Sequence, residues 1–270
     1  MALNLARTVK AGDADPKVVQ ILTECLEFDT ITENQAARRI DEYNKLDEDQ
    51  YNLEDIWGAF FRASFHIPHD HPAQSRLVQI LLELKELPSR TVQFGDKELI
   101  FWSGMPLFHG YFSEWWQFCG PFDRPMDEEG KSPEEIVEEA SHEWQNFVSF
   151  SARLWKAGLI GLFRSSVYTL REALEDDTGE LELKWRIAAA SEWIVHCGPL
   201  ILEEIRDNDF IDAGTPPKGP LYDGEGKTES YRWEFWKRRF EEVSCQLEGD
   251  FKTLALDCAS RMKQISDSLD

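Results

Sequence analysis

The sequence predicts an all-α protein, a single globular domain over residues 1–270 built from about eight or more helices. Three observations predict it. Apolar residues recur mostly at spacings of three and four rather than two. The pairs Thr32/Gln35 and Ser132/Glu135 stand where capping boxes would open helices. A hydrophobic content of 42%, with ten tryptophans, supplies enough side-chain volume for a packed core.

In chain order, the first helix follows Asp15: in "DPKVVQILTECLEF" Pro16 suits a first turn, and Val18, Ile21, Leu22 and Cys25 share a face. "TITENQAARRIDEYNKL" carries the Thr32/Gln35 box, and residues 15–48 read as helices at the periphery of the domain. "NLEDIWGAFFRASF" offers Asn52 as a cap before an aromatic face. "PAQSRLVQILLELKEL" aligns Leu77, Ile80, Leu81 and Leu84 and stops before Pro88. "TVQFGDKELIFW" resists a helical reading; two apolar runs around a Gly-Asp turn fit a short β-hairpin near 91–102.

The longest helical signal is "SPEEIVEEASHEWQNFVSFSARLWKAG", opened by Ser132 and Glu135 with Pro133 in the first turn and closed by Gly158. Its glutamates lie near the N-terminus, where the helix dipole favours them. Further helices read at about 160–175, 181–206, 231–245 and 250–266. The turn-rich "NDFIDAGTPPKGPLYDGEGKTES" is the longest break, and no internal repeat is visible.

Composition excludes some partners. Lys plus Arg number 29 against 51 Asp plus Glu, a formal charge of −22, which repels nucleic acid and anionic lipid. The start, "MALNLARTVKAGDADP", lacks the apolar core of a signal peptide, and no stretch approaches the roughly 18 apolar residues of a membrane span. The five cysteines are scattered, without a Cys-x-x-Cys pair, as suits a reducing, cytoplasmic setting.

The densest polar constellation is "FHIPHDHPAQ", with His66, His69 and His71 around Asp70. A metal site needs side chains converging from separated elements, whereas these crowd one loop. Pro68 and Pro72 push the residues before them out of helical conformation, and Pro72 suits the first position of the next helix. The stretch therefore reads as punctuation between helices, and no metal ligand is expected in it. "DDTGE" at 176–180 loosely matches the aspartate-rich magnesium motif of terpene cyclases, but Gly179 interrupts it and Asp212 and Pro216 spoil a second motif. In "SHEW" Asn146 stands where a zincin helix needs its second histidine. No phosphate-binding loop, dinucleotide fingerprint or nucleophile elbow is present, so no catalytic residue and no cofactor is assigned.

Four residues remain as binding candidates: His69, His196, Arg232 and Trp236. His196 neighbours Cys197, but adjacent helical residues point in different directions. In "YRWEFWKRRFEEV" the face of Trp233, Trp236 and Phe240 reads as core. Its basic residues pair with carboxylates of the same chain or form an anion site in which Arg232 gives a forked hydrogen bond. The "WW" at 115 and 116 fits either core or binding surface.

The blocks "IPHDHPAQSRLVQILLEL", "FSARLWKAGL", "LREALED", "AAASEWIVHCGP" and "RWEFWKRRF", in that order between about residues 50 and 245, resemble a family of fungal proteins classified only as a domain of unknown function. The resemblance implies a helical soluble protein and transfers no activity. The leading functional expectation is a noncatalytic binding or protein-interaction module, taking a protein or a small apolar or anionic molecule. The alternative is an enzyme of fungal small-molecule metabolism with a tryptophan-lined pocket in which His69, His196 or Arg232 supplies polar chemistry.

Overall fold

A computed structural model describes residues 3–5, 14–46, 53–94, 96–118, 120, 130–207, 217–224 and 229–269. Among the described residues there are ten helices and one hairpin: α1 Pro16–Leu26, α2 Glu33–Leu46, α3 Leu53–His66, α4 Ala73–Lys85, β1 Arg90–Phe94, β2 Lys97–Phe101, α5 Phe108–Phe118, α6 Pro133–Lys156, α7 Phe163–Leu174, α8 Glu180–Asp207, α9 Glu229–Ser244 and α10 Gly249–Leu269. The protein is mainly α-helical, as its periodicity predicts. The chain divides into two compact units, Met1–Phe150 and Ser151–Asp270, with the boundary inside α6.

In the first unit the helix starts follow the local chemistry. The Asp15 carboxylate accepts the amides of Lys17 and Val18, and Pro16 occupies the first helical position of α1. Thr32 and Gln35 exchange side-chain and backbone hydrogen bonds at the head of α2. Ser132 and Glu135 do the same before α6. Asn52, the expected cap of α3, lies outside the described residues. The hairpin pairs Arg90 with Phe101 through Phe94 with Lys97 in antiparallel register. Helix α5 is absent from the periodic reading because "FHGYFSEWWQF" is aromatic nearly all round and contains a glycine, which blurs any polar face.

Aromatic rings fill this unit. Phe65 stacks on Phe147 at 4.6 Å, while Trp57 meets Trp102 and Phe108 edge-on at 5.8 and 5.1 Å. Buried indoles find acceptors: Trp57 donates to the Pro106 carbonyl and Trp102 to Asp41. Arg76 on α4 gathers Glu33, Asp29 and the Cys25 carbonyl, and its bond holds the Glu33 carboxyl below its ordinary value.

The histidine stretch between α3 and α4 is a braced linker. The buried Gln74 amide donates to the carbonyls of Ser64, Ile67 and Asn146, and Asn146 returns a bond to the Phe65 carbonyl. His71 Nδ1 accepts the Ala73 amide, so this ring caps α4, with Pro72 just before the helix rather than at its first position. Among the described residues, no three His, Cys, Asp or Glu side chains converge as a metal ion requires.

The second unit packs α8 against α7, α9 and α10. Near their starts Trp185 meets Phe251 edge-on at 5.2 Å. Near their ends Arg206 donates to the Leu269 carbonyl at 3.0 Å. Helices α8 and α10 therefore run in the same direction, with α9 returning between them and Trp233 at its start bonded to Ser266. Among the described residues no helix is long and apolar enough to cross a membrane.

Candidate functional site

The site is built in the second unit from α6, α8 and α10. Helix α6 ends in a left-handed turn at Gly158, φ +69°, where the Leu159 amide returns to the Leu154 carbonyl. That ending leaves Lys156 in the last turn, where the helix dipole favours a cation. On α8, Gly198 allows a close approach: a Cβ there would sit 2.5 Å from Ile265 Cδ1 and 3.9 Å from the Trp233 ring. Pro199 follows inside the helix and has no N–H for the Val195 carbonyl one turn back. On α10, Arg261, Gln264, Ile265 and Ser268 have the i, i+3, i+4, i+7 spacing of one stripe.

Between these elements lies an open cavity of about 520 Å³, within the size range of small-molecule sites. Ile194, Val195, Pro199, Leu200 and Ile265 supply apolar wall, and Lys156, His196 and Arg261 supply basic groups. Among the described residues that line it, none is acidic and none is Phe, Tyr or Trp. His196 Nε2 stands 3.5 Å from the nearly buried Glu192 carboxylate one turn earlier on α8. Lys156 and Arg261 form no ion pair among the described residues. The neighbouring Cys197 is buried and gives its S–H to the Ala152 carbonyl; burial pushes its thiol up to about 12. A thiol so far from ionising is a poor nucleophile.

Of the four binding candidates, only His196 lines this cavity. Arg232 and Trp236 come together elsewhere in the same unit, around Glu175 at the end of α7. Glu175 accepts Arg232 Nε at 2.6 Å and Nη2 at 3.0 Å, Trp236 Nε1 at 2.7 Å and the Gly219 amide at 2.8 Å. The forked bond expected for a bound anion is made to this internal carboxylate, buried along with its partners. His69 belongs to the first unit, where its carbonyl accepts the Ser149 hydroxyl at 3.2 Å. The tryptophans at 115 and 116 are half-buried in the aromatic cluster, with Arg62 over Trp115 at 4.6 Å.

Sequence reasoning missed Lys156 and Arg261, which are 105 positions apart by number and share no motif. The one local signal was "WKAG", which places a lysine just before a terminating glycine.

A family profile described as "Protein of unknown function (DUF3632)" matches residues 57–240, a span that holds Lys156 and His196 and stops short of Arg261. No curated protein and no solved structure matches the chain.

Proposed function

The chain belongs to the DUF3632 family of proteins of unknown function, and since that membership supplies no chemistry we propose, from the cavity itself, a noncatalytic binding protein that holds a small anionic molecule. The observation that carries this reading is the pair Lys156 and Arg261, two cations that line one pocket without an ion-pair partner among the described residues. Acidic residues outnumber basic ones 51 to 29 in this chain, so a pocket with three basic groups and, among the described residues, no carboxylate in its lining is a local inversion of charge. Such a pocket attracts an anion that the rest of the surface repels. The protonated Cys197 beside it supports binding rather than covalent chemistry. A cytoplasmic location belongs to the same proposal, supported by four described cysteines that are all free thiols.

The test is a thermal-shift and titration series with small carboxylates and phosphate esters against their neutral amide and alcohol counterparts. The anions should raise the melting temperature, the rise should shrink with added salt, and Lys156→Gln/Arg261→Gln should abolish it. Equal stabilisation by the neutral counterparts, unchanged in the double variant, would overturn the reading.

A further inference from the structure

We infer that the cavity takes a head-and-tail acid, an aliphatic carboxylate that docks its charged end between Lys156 and Arg261 and lays its chain along α8 and α10 toward their C-terminal ends. The inference rests on the anion-binding reading above and adds to it a ligand class and a direction.

The direction comes from the parallel run of the two helices. Trp185 lies against Phe251 and Arg206 against Leu269, so heights on one helix can be read on the other. Gly198 is level with Ile265, because the missing Cβ of the one faces the side chain of the other. One turn before that level stand Arg261 on α10 and Ile194 and Val195 on α8. Lys156 joins at the same end, since Ala152 lies against Cys197 while Trp155 meets Trp193 at 6.2 Å, so α6 runs opposite to α8 and its last residue points toward the Ile194 level. The charges therefore gather at one end of the cavity. Beyond Arg261 the lining residues of α10 are Gln264, Ile265 and Ser268, and beyond His196 those of α8 are Pro199 and Leu200, none of them charged.

The head and the tail follow from these walls. Glu192 at 3.5 Å offsets the charge that His196 could add, so Lys156 and Arg261 are left to face the head, and a carboxylate can accept from one of these cations on each of its two oxygens. The stripe from Arg261 to Ser268 rises roughly 10 Å at 1.5 Å per residue, the reach of a medium-length chain. Covering the aliphatic wall with such a chain removes apolar surface from water on both partners. A membrane surface is the less suitable source of this chemistry, because the formal charge of −22 opposes an anionic bilayer.

The experiment is calorimetric titration of the full chain with octanoate, butyrate, acetate, octan-1-ol and inorganic phosphate. It is repeated on Lys156→Gln/Arg261→Gln and on Ser268→Trp, each checked for an unchanged circular-dichroism spectrum. Octanoate should bind, with acetate, octanol and phosphate each at least about tenfold weaker. The charge variant should reduce octanoate to the level of octanol. Ser268→Trp, which fills the far end, should reduce octanoate to the level of butyrate and leave butyrate unchanged. If acetate or phosphate binds as tightly as octanoate and still depends on Lys156 and Arg261, the anion-binding reading stands and the head-and-tail inference falls. Octanol matching octanoate, with no effect of the charge variant, overturns both. Binding of octanoate only as part of phosphatidylserine-octanoate vesicles would also overturn the free-acid assignment.

Discussion

Arg232 lays its guanidinium fork on the carboxylate of Glu175, 57 residues away in sequence, and both side chains are buried. The pair joins α7 to α9, and the Gly219 and Leu221 amides tie the 217–224 segment to the same residue. Each charge is taken out of water only because the other satisfies it. Arg232→Met should therefore cost about 3–5 kcal/mol, since it strands a buried carboxylate. Arg232→Met/Glu175→Gln should lose less than the sum of the single changes. Urea unfolding of the four proteins measures this, and strict additivity would show that the two side chains do not act as a pair.

Trp236 is fully buried, its ring under the Arg232 guanidinium and its N–H on Glu175. Trp236→Ala should destabilise the fold by about 3–5 kcal/mol through lost burial and the cavity left behind. Lys237→Glu, which removes an exposed pairing with Glu234, should cost about 1 kcal/mol or less. Arg238→Glu should fall in the same low range, though it sets like charges beside Asp223 and Glu242. Thermal unfolding at one salt concentration ranks the three; a Trp236→Ala protein as stable as the parent would remove this ring from the core.

Gly198 and Ile265 share one space, so a methyl at position 198 must displace the Ile265 side chain. Gly198→Ala should cost about 1–3 kcal/mol by overpacking, and adding Ile265→Val should recover part of that loss. Ile265 also lines the cavity, so ligand affinity should change along with stability. Recovery measured by chemical denaturation is the decisive observation; a double variant no better than the sum of its parts would count against a direct clash.

Burial pushes the thiols of Cys25 to about 11 and of Cys197 and Cys258 to about 12, from an ordinary 9.0. In the unfolded chain these groups lose their protons near 9, while in the folded protein they keep them. Their contribution to stability is thus complete below pH 9 and is lost as pH rises from 9 toward 12. Denaturant midpoints should fall over that window, and a Cys197→Ala/Cys258→Ala protein should fall less steeply. At pH 8 a thiol reagent should label exposed Cys245 in the native protein and leave Cys25, Cys197 and Cys258 unmodified until denaturant is added.

His71 caps α4 through Nδ1, so His71→Ala should cost on the order of 1 kcal/mol. Elemental analysis of the protein after mild purification should show no stoichiometric zinc or other transition metal. One metal per chain, lost when His66, His69 and His71 are all replaced by alanine, would reverse the reading of this stretch as a linker.

What the sequence by itself determined were the features whose causes lie within a few residues of one another. Asp15 and Pro16 start α1, Thr32 with Gln35 and Ser132 with Glu135 form their boxes, and Gly158 closes α6. Each is a bond or a backbone preference spanning three or four positions, so it leaves a local spacing to read. Tertiary structure alone decided which polar residues end up satisfied. Arg232 could have faced a ligand or a carboxylate, and only the packing of α7 against α9 brings Glu175 to it. Lys156 and Arg261 are ordinary surface cations as sequence, and they line one cavity because Gly198 lets α10 close on α8 beside the end of α6. Such a meeting depends on how helices pack, which is governed by contacts between residues far apart in the chain, and no local pattern records it.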